Sequence, residues 1–345
     1  MISFERSDFD RYAQAVFRTD SPSGYTAEIV RLLRGFIEEL GYEYRIHNKG
    51  TVEVIVPGAD DSRTVATSAH VDTLGLMVRS VKAGGTLAFT RVGGPQLATL
   101  DGEYCQVLTR EGKRYTGTII SQSPAAHVFP DAATAARDEE HMEIRLDERV
   151  TSADEVKALG IQNGDYVFID PKFTVTESGF LKSRFIDDKA SAVILLMLLR
   201  WCKEHGVPFR HPTHIYFVMY EEVGHGASAI AEGIDEFVTV DMGCVGLDLA
   251  GSEYAVTICA KDSGGPYDYE LTGRLIDLAK KHNISHTVDI FPFYSSDVTA
   301  SLRSGRDLKG SLIGTGVAAS HGMERTHLDG VEATLQLLYF YLCGE

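Results

Sequence analysis

The 345-residue chain is 44% hydrophobic and 24% charged, an ordinary balance for a globular protein with room for a large core and two domains. Its formal charge of −16 argues against a nucleic-acid or anionic-membrane partner, since both require a basic face. Five scattered cysteines without a CxxC pair read as reduced thiols of a cytoplasmic protein. The N-terminal segment lacks the apolar core of a signal peptide, and the longest apolar run, Ala190–Leu199, is too short to span a bilayer.

In chain order, Ile29, Val30, Leu33, Phe36, Ile37 and Leu40 recur at helical spacing, which predicts an amphipathic helix over 23–41 stopped by Gly41. Strands are expected at 51–56 and 64–69. From about Leu74 the texture changes to short β-prone pieces broken by glycine, such as 87–90, 105–108 and 166–169. A single short helix stands out there, opened by the capping-box pattern Ser152-Ala-Asp-Glu155 and closed by Gly160. Beyond Ser183 the segment 189–205 is apolar nearly all round, as a buried helix is. Strands near 213–220, 237–241, 254–259 and 286–290 then alternate with helices near 268–282 and 329–342. Strand–helix alternation implies an α/β layered sheet, and the matching N-terminal texture makes the β-rich stretch an insertion. The expected organisation is therefore an α/β domain from 1–72 and 176–345, with an inserted small all-β domain at 73–175.

Acidic and imidazole side chains collect at the ends of these elements. Glu221 and Glu222 follow the strand-like run 213–220 and open a glycine-containing loop. Such a pair can present one carboxylate to a metal and another to the proton of its water, although an isolated Glu-Glu reads as an acidic turn. His70-Val-Asp72 follows a strand, and Asp72 or a backbone carbonyl could fix the imidazole tautomer. Asp187 and Asp188 precede the buried helix, where capping accounts for one acid but not two. Asp241 ends a strand, and His327 opens the last helix; alone, that histidine reads as a surface or capping group, with His321 as its rival. Open α/β sheets gather ligands at the carboxyl ends of their strands, where these residues fall. Nitrogen and oxygen donors without thiolate suit zinc, cobalt or manganese.

These segments resemble the M42 family of metallo-aminopeptidases, the glutamyl-aminopeptidase and tetrahedral-aminopeptidase group. The resemblance lies in Ala69-His-Val-Asp-Thr-Leu-Gly-Leu76, Ile186-Asp-Asp-Lys189, Glu221-Glu-Val-Gly-His-Gly-Ala227, Val240-Asp241 and His327 with Glu332. Within the insert, Gly93-Gly94, Ala126-His127 and 158–165 are similar to the family's β domain. The resemblance implies a mixed-sheet, three-layer metallopeptidase fold holding two divalent ions per subunit. His70 and Asp241 would bind one ion, Glu222 and His327 the other, and Asp187 would bridge them, with Asp188 joined to it through a cis peptide. Glu221 would be the general base and Asp72 the orienting acid. The implied reaction is removal of N-terminal residues from peptides by a metal-bridging hydroxide. The implied assembly is a dimer-based homo-oligomer of up to twelve subunits, with the β insert serving oligomerisation or substrate access. Thr73, the Gly224-His225-Gly226 turn and the longer 316–329 segment depart from the family pattern and would shape specificity. Two other readings are an inactive member serving as scaffold or peptide-binding module, and a metal-independent glycoside hydrolase.

Overall fold

The structure, a computed structural model, describes residues 2–344, which divide into two compact units. One comprises Met1–Thr73 with Lys172–Glu345, the other Leu74–Pro171. The second junction precedes the sequence-based boundary because Thr174–Val175 already pair with Phe180–Ser183 of the larger unit.

The larger unit is built on a ten-stranded mixed sheet. Its centre is four neighbouring parallel strands in the order Thr213–Val218, Val65–His70, Glu236–Val240 and Lys309–Val317. Antiparallel strands flank them, Val52–Val56 on one side and Val256–Asp262 on the other. Because successive strand residues point to opposite faces, the sheet carries two cores. Ile215, Phe217, Val238, Val240 and Ile313 join the larger core, packed with Leu195, Leu198 and Leu338 of two long helices. Tyr216, Val218, Phe237 and Leu312 join the other, with Ile230 and Val298. A sheet with a core on each face is the three-layer arrangement expected of strand–helix alternation.

The helix Ile186–His205 is buried along almost its whole length, which explains its uniformly apolar sequence. Elements without a sequence expectation include the helices Arg6–Arg18 and Asp297–Arg303 and the strands Lys309–Val317 and Glu324–His327.

The smaller unit is a closed six-stranded barrel, in the order Gly75–Val81, Leu87–Val92, Met142–Leu146, Arg114–Ser121, Glu103–Leu108 and Tyr166–Ile169. Tyr166 and Val167 pair back onto Met77 and Leu76 to close it. Alternating Leu76, Val78, Phe89, Val107, Ile119, Ile144 and Val167 are fully or almost fully buried. Among the described residues no helix is long and apolar enough to cross a membrane.

Candidate metal centre

The parallel pairing sets Val218 opposite His70, so both chains leave the sheet at one edge. Tyr220, with φ of 68°, turns the chain abruptly after the strand. The backbone N–H groups of Glu221 and Glu222 then donate to the two oxygens of Asp72, at 3.1 and 3.3 Å. Ser23 donates its hydroxyl to the same carboxylate at 2.5 Å. Asp72 thus organises the Glu-Glu turn as well as lying beside His70. Asp241 follows the third central strand, its own N–H on Ile313 O at 3.0 Å and its Oδ1 accepting from Met242 N at 2.6 Å.

Asp187 and Asp188 have non-helical backbone angles inside Ile186–His205, and the peptide between them is cis. Their carboxylates face different groups. Asp188 Oδ2 accepts the His70 N–H at 3.1 Å, while Asp187 Oδ1 is 3.0 Å from His70 Nε2. The other oxygen of Asp187 lies 3.5 Å from His321 Nε2, which is also 3.6 Å from Glu222 Oε2. Asp187 therefore stands between two imidazoles. Glu221 Oε2 is 3.8 Å from His70 Nε2. On the far side of the His70 ring, Nδ1 is 3.0 Å from Asp72 O and 3.7 Å from Asp72 Oδ1. A proton on Nδ1 satisfies that carbonyl and leaves the Nε2 lone pair pointing into the acidic cluster.

Burial is the largest influence on the acids of the cluster, only partly offset by the His70 charge. It pushes Asp188, Glu221 and Glu222 well above the carboxylate range, with neighbouring acids adding to the rise. Asp241 is raised to about 7, by burial first and then by the Asp187 charge. For His70 burial acts downward, but the Asp187 contact and the charges of Glu221, Asp241 and Asp188 hold it well above the usual imidazole value. Asp187 is driven below the carboxylate range because His321 and His70 outweigh its burial. Acids packed this tightly away from water call for cations.

Two sets meet the spacing of a metal site, with one donor atom from each residue and all within 4.8 Å: His70, Asp188 and Asp241, and His70, Asp187 and Glu222. Asp188 Oδ1 and Glu222 Oε1 are buried and lack a hydrogen-bond partner among the described residues. Orphaned carboxylate oxygens beside imidazole are the donor set a zinc, cobalt or manganese ion would complete, so the residues fit such ions.

The family model for M42 glutamyl aminopeptidase matches residues 50–337. The chain belongs to the M42 family. Its relative "Putative aminopeptidase YhfE" of Bacillus subtilis (strain 168) is 43% identical over 323 residues, covering 93% of both sequences. Among solved structures, the TET aminopeptidase from the marine sediment archaeon Thaumarchaeota archaeon SCGC AB-539-E09 matches with a TM-score of 0.87 over 98% of this chain and 96% of its own. The Pyrococcus horikoshii TET1 peptidase, which can assemble into a tetrahedron or a large octahedral shell, matches at 0.82 over 96% and 98%. Both are 20% identical to this chain and share its fold. As an M42 aminopeptidase the protein is a peptide hydrolase.

One expected ligand of this M42 site is not brought to it. His327 accepts the Asp329 N–H at 3.1 Å on Nδ1, a helix cap, and its Nε2 is 2.7 Å from Ser178 O. Its ring packs against Phe180 and Tyr254, each 4.9 Å away between centroids. Strand alternation is the reason: Glu324 and His327 both lie on the short strand Glu324–His327, three positions apart, and so face opposite sides. Glu324 takes the inward side, with Oε2 accepting from Asp187 N and Oε1 from His321 N, both at 2.9 Å. His321, in a turn with φ of 62°, is the histidine that faces the cluster. Glu324 and Ser23, which also hydrogen-bond groups of the cluster, carried no sequence signal of their own.

Proposed function

We propose that this M42 enzyme is a dinuclear-metal aminopeptidase that releases the N-terminal residue of peptides. The observation that carries the reading is Asp187 standing between His70 and His321, with Glu222, Asp241 and Glu221 around it. His70 and Asp241 would hold one divalent ion, Glu222 and His321 the other, with Asp187 shared. Zinc or cobalt suits these donors best and manganese also fits them. Bound there, such ions supply Lewis-acid chemistry, polarising a carbonyl and acidifying water.

The remaining steps belong to the chain's own residues. Glu221 takes the proton of the attacking water and returns it to the leaving amine, a role worth about 10²–10⁴-fold in rate. Asp72 fixes the Glu221–Glu222 backbone and one side of the His70 ring.

Glu221→Gln tests the assignment. The variant is expected to keep two metals per chain by elemental analysis while turnover falls at least about 10²-fold. Substantial residual activity with full metal content would reassign the proton carrier.

The reading extends to a cytoplasmic homo-oligomer in which the barrel unit serves assembly or substrate access. It is supported by the assemblies of the P. horikoshii relative and by the scattered, odd-numbered cysteines.

A further inference from the structure

The loop that follows the Glu-Glu pair is folded back on itself and is held from outside by one cation. Gly224 N donates to Glu221 O at 2.7 Å and His225 N to Tyr220 O at 3.2 Å, closing a tight ring. His225 stacks on Tyr220 with ring centroids 5.1 Å apart. Gly226 comes back against the Glu221 Cα, where an added Cβ would sit 3.1 Å away and would also collide with Asp297 Oδ1. Ala227 N then donates to that same Asp297 oxygen at 2.9 Å.

Lys49 reaches this ring from the turn between the strands Glu43–Ile46 and Val52–Val56. Its ammonium donates to His225 O, to Gly226 O at 2.8 Å and to Ser228 Oγ at 3.3 Å. Three donors on one compact cation meet three acceptors of one loop, two of them consecutive carbonyls. A second anchor from the same turn, Thr51 Oγ1, accepts the Met219 N–H at 3.3 Å, just before the loop begins. Glu221 is thereby held at its N–H by Asp72 and over its Cα by a segment that Lys49 and Asp297 pin from either side.

We infer that Lys49 is a positioning residue for the proton-carrying carboxylate: its ammonium clamps the 225–228 return of the loop and so fixes where Glu221 points. The inference rests on the proposed role of Glu221. Lys49 hydrogen-bonds none of the groups assigned to metal or substrate; its contacts are with the loop, and its charge also reaches Asp297 and Asp72. A carboxylate displaced by a fraction of an ångström from its working position loses rate while substrate binding persists.

The test compares Lys49→Met, Lys49→Gln and Lys49→Arg with the wild-type protein, each at full metal loading. In Lys49→Met, kcat is expected to fall on the order of 10- to 100-fold with KM changed less than about twofold. Metal stoichiometry should be unchanged, and amide hydrogen exchange should quicken across 221–228. Lys49→Arg, which can still donate to both carbonyls, should recover most of the rate, with Lys49→Gln between them. The graded series keeps the question open to test where one variant fails to fold. An unchanged kcat in Lys49→Met, or a loss of rate that tracks loss of metal, overturns the inference. If the wild-type protein hydrolysed no peptide, the aminopeptidase reading would fail separately. The exchange measurement would then decide the clamp alone, and unaltered protection of 221–228 in Lys49→Met would contradict it.

Discussion

His321 and His327 share one short segment but have different surroundings, and substitution separates their roles. His321→Ala removes an imidazole 3.5 Å from Asp187 and 3.6 Å from Glu222, so metal affinity should fall by more than the 10–100-fold that loss of a mere supporting partner causes. Titration of the stripped protein with zinc would then show one strong site instead of two. His327→Ala removes a helix cap and should cost about 1 kcal/mol of stability while leaving both metal sites intact. The reverse pattern would restore His327 to the centre. Most candidate ligands were legible because strand ends in an α/β sheet converge: His70 ends a strand, and Glu221, Glu222 and Asp241 follow strands. His327 was misleading because a capping histidine and a ligand histidine look alike in sequence. Only the two-residue period of the strand, invisible until its register is known, decides between them.

At the level of elements, buried polar groups tie strands of the sheet together alongside its apolar faces. Glu53, on Val52–Val56, is buried and receives Tyr216 Oη at 2.9 Å, His214 Nδ1 at 2.6 Å and His47 Nε2 at 3.1 Å. Burial opposes its ionisation, but the His214 and Tyr216 hydrogen bonds outweigh it and hold the pKa near about 2. A carboxylate depressed in the folded state lends stability above its unfolded pKa and loses it as pH falls toward the folded value. Glu53→Gln should therefore cost about 2 kcal/mol at neutral pH. The gap from wild type should stay constant down to about pH 4.3 and shrink between there and about pH 2 in denaturant titrations. A gap that did not change with pH would show that packing, not ionisation, carries the cost.

Lys309–Val317 is a central, almost wholly buried strand, yet Gly310, Gly314 and Gly316 dilute its β signature. Gly314 has a reason to be glycine, since a Cβ there would run into the Asp241 carbonyl of the neighbouring strand. The close approach that places Asp241 thus erased the pattern that would have announced the strand beside it. By contrast the helix Ile186–His205 and the strand His286–Ile290 were plain, one from its continuous apolar run and the other from Thr287, Val288 and Ile290 just ahead of Pro292.

Across the whole molecule, the larger unit supplies every residue of the candidate centre, while the barrel supplies none of them. Assembly is the role proposed for the barrel, and light scattering of the purified protein should give a mass well above the 37.8 kDa chain, at an even number of subunits. A monomer at working concentration would remove that part of the account. The measurement that bears most directly on the central claim is hydrolysis of an aminoacyl-p-nitroanilide panel by protein stripped of metal and then reloaded with zinc, cobalt or manganese. The account predicts no release from stripped protein, restored release at two metals per chain, and none from substrates whose α-amine is acetylated. Release that survived complete metal removal, or silence across the panel at full metal loading, would contradict it.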